Sequence, residues 1–353
     1  MLFQSLAESQ EVPMSAPKNV WFVNFIGIGN GIIIIPILRC FEQTFPEARY
    51  FHSENPVLSD AWFISKAGLK NLIGFSPIAW RRFNKDDWPA IGAFIKKNEI
   101  ETIVNLRNEG PKYDVGYYQF KEWSLHNLKS LSFWDLNFGK IENREKQKNL
   151  TQDVIDLLES KGVSFSNYNP VWLKTSDKPS GGIGFGMAAS QKNKRWPIKK
   201  WIELGLQTKK QLKERIVLLP GKSVDEMREA EEVKNAMGEE SCELIVHEAL
   251  SIVAQHIVRL KCFVSNDTGL LHIASATGVP SIGLYISTDA NVWAPNEKQA
   301  LRSFENFFFK DKCPERKVHC GNCFHYYDSC PAIAEYGDDI DSLEVFNTMK
   351  ELL

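Results

Sequence analysis

Apolar and polar positions fall into a repeating order along the chain. Short runs rich in β-branched and aromatic residues end at Gly, Asn, Asp or Ser. Each is followed by a longer stretch whose apolar positions recur three and four apart. Asn19–Phe25, Ile100–Leu106, Ile183–Ala189, Arg215–Leu219 and Ser281–Ile286 read as buried strands. Ile32–Phe41, Phe83–Glu99, Thr151–Ser160 and the stretch from Pro197 through Trp201 and Leu204 to Leu212 read as helices. Phe83–Glu99 has the expected polarity, with Asp86 and Asp87 near its start, Pro89 early and Lys96 and Lys97 near its end. Strands alternating with helices predict an α/β fold with parallel sheets. Between Lys161 and Gly182 the pattern lapses into Pro, Ser, Asn and Gly, which marks a linker. The expected organisation is a leader (1–18), an N-terminal Rossmann-like domain (19–170) and a C-terminal one (171–353).

The stretch from Cys262 to Pro295 carries the densest chemistry. An apolar strand (Phe263, Val264) runs into Ser265-Asn266-Asp267-Thr268-Gly269, and a helical pattern begins at Leu270 and Leu271. A helix start leaves backbone N–H groups unpaired and carries partial positive charge, so a phosphate site is physically available there. The plainer alternative is that Asp267 only caps a buried helix. His272 follows one turn later, either supporting the site or sitting in the core. Nearer the start, Gly27-Ile28-Gly29-Asn30-Gly31 follows the first strand, and glycine there allows a tight turn and close approach of backbone to a ligand.

Composition narrows the classes. With 353 residues, 43% hydrophobic and 24% charged, the chain is long enough for two cores. A net charge of -2 gives no electrostatic footprint for nucleic acid. The apolar run Ile32–Leu38 is interrupted by Pro36 and falls far short of a membrane span. The first residues, with Glu8 and Glu11, lack the basic start and apolar centre of a secretory signal, so a cytoplasmic protein is expected.

The run from Ser265 through His272, Gly278-Val279-Pro280 and Ser281–Ile286 to Trp293-Ala294-Pro295 resembles the C-terminal signature of the heptosyltransferase-like glycosyltransferases of family 9. The first strand, the glycine run, Pro36, Leu38, Arg39 and Phe45-Pro46-Glu47-Ala48 resemble the N-terminal signature of the same family. The resemblance implies the GT-B arrangement, two Rossmann-like doubly wound domains across a central cleft. It implies inverting transfer of a heptose or related sugar from a nucleoside diphosphate sugar such as ADP-heptose to an acceptor hydroxyl on a glycan, lipid-linked or protein acceptor, as in lipopolysaccharide synthesis. By the same resemblance Lys194, ahead of Trp196-Pro197, contacts the donor phosphates, and Glu226 lies near the nucleotide sugar. Gly29, Asp267, Thr268, Gly269 and His272 complete the donor side. Contact with the inner face of the membrane and homo-oligomerisation are left open.

One position departs from the pattern. The family's aspartate after the glycine, taken as the general base, is Asn30 here, and an amide has no carboxylate to accept a proton. Asn30 is then expected to orient the acceptor, with Glu109 or Asp114, beyond the strand Ile100–Leu106, as substitute bases. Loss of transfer activity, leaving a nucleotide-sugar binder, is the alternative. A sugar-nucleotide epimerase or phosphorylase on the same architecture, or an assembly partner, remain as further readings. The Pro220-Gly221-Lys222-Ser223 run is not a phosphate-binding P-loop, since that motif needs glycine where the chain has Ile216.

Seven cysteines are present, and Cys313, Cys320, Cys323 and Cys330 lie close together with a central CxxC. Four thiolates so spaced fit one structural Zn or Fe ion, against the alternative of four reduced thiols in a loop.

Overall fold

The computed structural model describes residues 16–23, 27–76, 83–106, 115–128, 131–136, 149–173, 181–189, 191–246, 248–286, 288, 290–295, 301–305 and 340–353. The first half runs β1 (Asn19–Val23), α1 (Ile28–Thr44), β2 (Arg49–His52), α2 (Ala61–Ala67), β3 (Leu72–Phe75), α3 (Trp88–Lys97), β4 (Thr102–Asn105), α4 (Val115–Asn127), β5 (Ser132–Asp135) and α5 (Leu150–Glu159). Among the described residues five strands pair in parallel in the order β3-β2-β1-β4-β5. Helices cover a parallel sheet on both faces, so its central strands must be apolar throughout, as β1 (NVWFV) and β4 (TIVN) nearly are.

The second half runs β6 (Gly181–Gly186), α6 (Ile198–Gln207), β7 (Ile216–Leu219), α7 (Val224–Met237), β8 (Cys242–Leu244), α8 (Leu250–Ile257), β9 (Leu260–Asn266), α9 (Gly269–Thr277), β10 (Ser281–Tyr285), α10 (Ala290–Trp293) and β11 (Leu301–Glu305). The strands are again all parallel, in the order β11-β10-β9-β6-β7-β8. A last helix, Ser342–Leu352, puts Val345, Phe346 and Met349 into the same core as Trp196 and Trp201. These are the two doubly wound sheets expected from the sequence. Each has one place where strand order reverses, between β1 and β4 and between β6 and β9. Ligands of such sheets bind beyond the carboxyl ends of those strands.

Two local expectations need correction. The glycine run is not a turn before a helix at Ile32. α1 begins at Ile28 with Gly27 as its N-cap, so Gly29, Asn30 and Gly31 form its first turn. Glycine costs a helix roughly 1 kcal/mol against alanine, and close neighbours account for its presence. A Cβ on Gly31 would stand 2.2 Å from Asn55 Oδ1, and one on Gly29 would stand 2.7 Å from His272 Cδ2. The helix beginning at Pro197 ends at Gln207 and passes into a π-turn over Thr208–Leu212, with Pro197 itself at the N-cap. Two residues of the expected linker bridge the halves. Trp172 Nε1 donates to the Ile32 carbonyl at 3.3 Å and the Leu173 amide to the Ala276 carbonyl at 2.9 Å, which ties α1 and α9 together.

One apolar cluster contains Phe22 of β1, Ile35 and Leu38 of α1, Val217 of β7, Phe263 of β9 and Ile273 of α9. The two halves therefore share buried surface along the α1–α9 contact.

Candidate active site in the cleft

β9 ends at Ser265-Asn266, both fully buried, and these two side chains build the loop that follows β6. Ser265 Oγ donates to the Gly186 carbonyl at 3.2 Å, and Asn266 Nδ2 donates to the Met187 carbonyl at 2.8 Å. Asn266 Oδ1 accepts the Trp196 amide at 3.0 Å. Both ends of the 187–196 loop are thus fixed by one amide side chain. The basic side chains of this loop point in different directions. Arg195 turns back to the Ala189 carbonyl (3.1 Å) and Glu229 (3.2 Å), and Lys192 reaches Asp225 at 3.8 Å on the surface. Lys194 points into the cleft, where its Nζ lies 3.0 Å from Asp267 Oδ2.

Asp267 does not cap α9. Its Oδ2 accepts from Lys194 and, at 2.6 Å, from the Thr288 hydroxyl in the loop after β10. Burial alone would raise the carboxyl pKa, but the Lys194 charge and the Thr288 hydrogen bond outweigh it and hold it below the usual value. The N-cap is Thr268, in extended conformation, and its side chain makes no capping bond. Among the described residues the first-turn amides of α9 receive no side-chain cap, and the buried Thr268 Oγ1 and His272 Nδ1 make no hydrogen bond. Buried polar groups are rarely left in that state.

His272 is 6% exposed. Burial lowers its pKa to about 4, with Asp267 pulling upward and Lys194 adding to the depression, so the ring is neutral near pH 7. It packs against the first turn of α1 across the cleft, and only glycine at 29 leaves room for it. Gly269 makes the reciprocal approach, since a Cβ there would stand 2.5 Å from Ile28 Cβ. The first turns of α1 and α9 thus meet, one from each sheet. Between them lies a cavity of about 280 Å³ lined by Gly29, Asn30, Lys194, Asp267, His272 and Thr288, with Gln191, Thr268, Gly269, Ile33 and Trp293. Chemically it offers one cation, one buried carboxylate, one neutral imidazole and two helix N-termini, a setting suited to an anionic ligand.

Residues 135–319, just over half of the 353, match the family described as glycosyltransferase family 9 (heptosyltransferase). The chain belongs to glycosyltransferase family 9. This family 9 enzyme is similar in fold to the E. coli heptosyltransferase WaaC with ADP-2-deoxy-2-fluoro heptose, at 17% identity and a TM-score of 0.64 over 95% of this chain and 100% of that one. It is similar also to a family 9 glycosyl transferase from Veillonella parvula (15%, TM-score 0.63, 96% and 98% covered). The E. coli ADP-heptose lps heptosyltransferase II aligns at 17% identity, with a TM-score of 0.60 and 95% and 98% covered. No curated protein matches the chain.

The sequence-derived positions fall into three groups in this glycosyltransferase. Gly29, Asn30, Lys194, Asp267, Thr268, Gly269 and His272 line one cavity. Glu226 does not line it. Its Oε1 accepts the Ala189 amide at 2.9 Å and its Oε2 accepts from Ser223 Oγ at 2.6 Å and the Ser223 amide at 3.1 Å, forming a capping box on α7. Gly221 of the Pro-Gly-Lys-Ser run leaves space for that carboxylate, since a Cβ there would stand 2.0 Å from Glu226 Oε1. Glu109, Asp114, Cys313, Cys320, Cys323 and Cys330 lie outside the described residues. Among the described residues no group of three or more His, Cys, Asp or Glu is placed to hold a metal ion, and no helix is long and apolar enough to cross a membrane. Thr288 and Asn266 were not singled out from sequence, although both sit just beyond or at strand carboxyl ends, which was the available signal.

Proposed function

We propose that the protein is an inverting glycosyltransferase that moves a heptose or related sugar from a nucleoside diphosphate sugar to an acceptor hydroxyl. The diphosphate lies at the start of α9 beside Lys194, and the acceptor approaches from the α1 side. The observation that carries this is the convergence of two helix N-termini on Lys194 and the uncapped first turn of α9. Such a site stabilises the charge that grows on a departing diphosphate. Lys194 supplies positive charge, the α9 amides supply hydrogen bonds, and Asn30 orients the acceptor by its amide. ADP-heptose as donor is supported by the solved E. coli enzyme with ADP-2-deoxy-2-fluoro heptose. A glycan, lipid-linked or protein acceptor, and a place in lipopolysaccharide synthesis at the inner face of the cytoplasmic membrane, complete the reading. The 19–170 part serves the acceptor and the 171–353 part the donor.

Calorimetric titration with ADP, GDP, UDP, CDP and dTDP tests the donor side. One nucleotide is expected to bind selectively and to lose affinity in a Lys194→Ala, Asp267→Ala double variant. Absence of binding by all five would sink the reading. Asn30 favours a second one, a nucleotide-sugar binder without turnover. It predicts nucleotide affinity without sugar transfer, and turnover appearing in Asn30→Asp.

A further inference from the structure

Inverting transfer removes one proton from the attacking hydroxyl, and the described lining of the cleft offers few groups to take it. Asn30 is an amide and Lys194 a cation. The Asp267 carboxylate is engaged by both Lys194 and Thr288. His272 is the other titratable side chain among the described lining residues. Its placement suits proton transfer. A Cβ on Gly29 would lie 2.7 Å from Cδ2 and 3.1 Å from Nε2, so the Nε2 edge of the ring faces the first turn of α1, next to Asn30. Nδ1 is buried and makes no hydrogen bond among the described residues, where nothing holds the ring in the tautomer that protonates Nε2.

We propose that His272 is the general base of the transfer and that Asp267 stabilises the imidazolium it becomes. The inference rests on the inverting-transferase reading. The acceptor proton passes to Nε2 as the acceptor oxygen bonds the anomeric carbon. The bond from that carbon to the diphosphate oxygen breaks, and its electron pair leaves with the diphosphate toward Lys194 and the start of α9. Asp267 favours the protonated ring and Lys194 opposes it. A diphosphate that draws Lys194 toward itself leaves the carboxylate to the ring, and its own charge adds to the ring's basicity. No titratable side chain is contributed by the facing turn of α1, whose residues are Ile28, Gly29 and Asn30.

The test uses the full chain with ADP-heptose, water serving as acceptor, and follows ADP release by a coupled assay and ADP binding by calorimetry. His272→Ala is expected to bind ADP within about threefold of wild type and to release it at least roughly 100-fold more slowly, the scale of lost general-base catalysis. Added imidazole should restore part of the rate, in proportion to its unprotonated fraction. Glu109→Gln and Asp114→Asn test the competing assignment of the base to a carboxylate. Unchanged release by His272→Ala overturns the proposal. So does loss of release in either carboxylate variant, which would assign the base to that carboxylate. A parallel loss of ADP binding without imidazole rescue makes His272 a donor contact only and also overturns it. Wild type that binds ADP but releases none removes the base and leaves a binder. Wild type that does not bind ADP removes the donor reading together with the base.

Discussion

At the scale of single residues, the cleft concentrates charges that depend on one another. Lys194→Ala leaves the buried Asp267 with Thr288 as its remaining donor among the described residues, and an uncompensated buried carboxylate costs about 3 kcal/mol. Thr288→Val keeps the ion pair and is expected to cost about 1 kcal/mol, the worth of one hydrogen bond. Urea unfolding of both variants checks the order, which reverses if Thr288 rather than Lys194 carries the site. Two histidines set a pH dependence. His52, which donates from Nδ1 to the Ser53 carbonyl at 2.6 Å, and His272 are both lowered by burial from 6.5 to about 4. Each is neutral when folded but takes a proton near pH 6.5 when unfolded. Their contribution is complete above pH 6.5 and is lost as pH falls toward 4, at about 1.4 kcal/mol per pH unit for each. Asp267, also depressed, adds its own loss only at lower pH. Unfolding free energies at pH 7.5, 6.0 and 5.0 should fall accordingly, with a shallower slope in His52→Gln. An equal slope in that variant would show that His52 does not titrate on unfolding.

Among the elements, the legible parts were those whose own residues carry the signal. The helix polarity of α3, the strand-to-helix passage from β9 to α9 and the glycine that ends α9 follow from local chemistry. The start of α1 did not, because glycine favours a turn when read locally. Here it is retained in a helix by Asn55 and His272, which approach from distant parts of the chain. The roles of Asn266 and Thr288 were hidden for the same reason, their partners lying at Met187, Trp196 and Asp267. Glu226 was placed near the donor from sequence, and its described contacts instead join the cap of α7 to Ala189, at the base of the Lys194 loop. Ser223→Ala should therefore destabilise the protein by about 1 kcal/mol and leave nucleotide affinity unchanged. Glu226→Ala should cost more and weaken nucleotide binding through the released loop. Calorimetry beside urea unfolding separates the two, and equal affinities in both variants would confine Glu226 to the cap.

For the whole molecule the deciding feature is that the halves are joined where the ligand is to bind. Phe22, Leu38, Phe263 and Ile273 share one buried cluster, and Trp172 and Leu173 stitch α1 to α9. Asn149 Nδ2 adds a bond at 2.7 Å to the Ala294 carbonyl from the opposite half. A half that unfolded alone would strip apolar surface from its partner, at roughly 25 cal/mol for each Å² exposed. The expected melt is one cooperative transition, although two separate sheets would ordinarily permit two. A nucleoside diphosphate at 100 times its dissociation constant should raise that single transition by about 2.7 kcal/mol. Gly269→Ala bears on the same joint, because its Cβ would fall 2.5 Å from Ile28 Cβ and must push α1 and α9 apart. That variant is expected to melt in two steps, with nucleotide raising only the step that unfolds the half containing Lys194 and Asp267. Differential scanning calorimetry with and without nucleotide decides it. Two steps already present in the wild-type protein would mean that the shared cluster does not couple the halves.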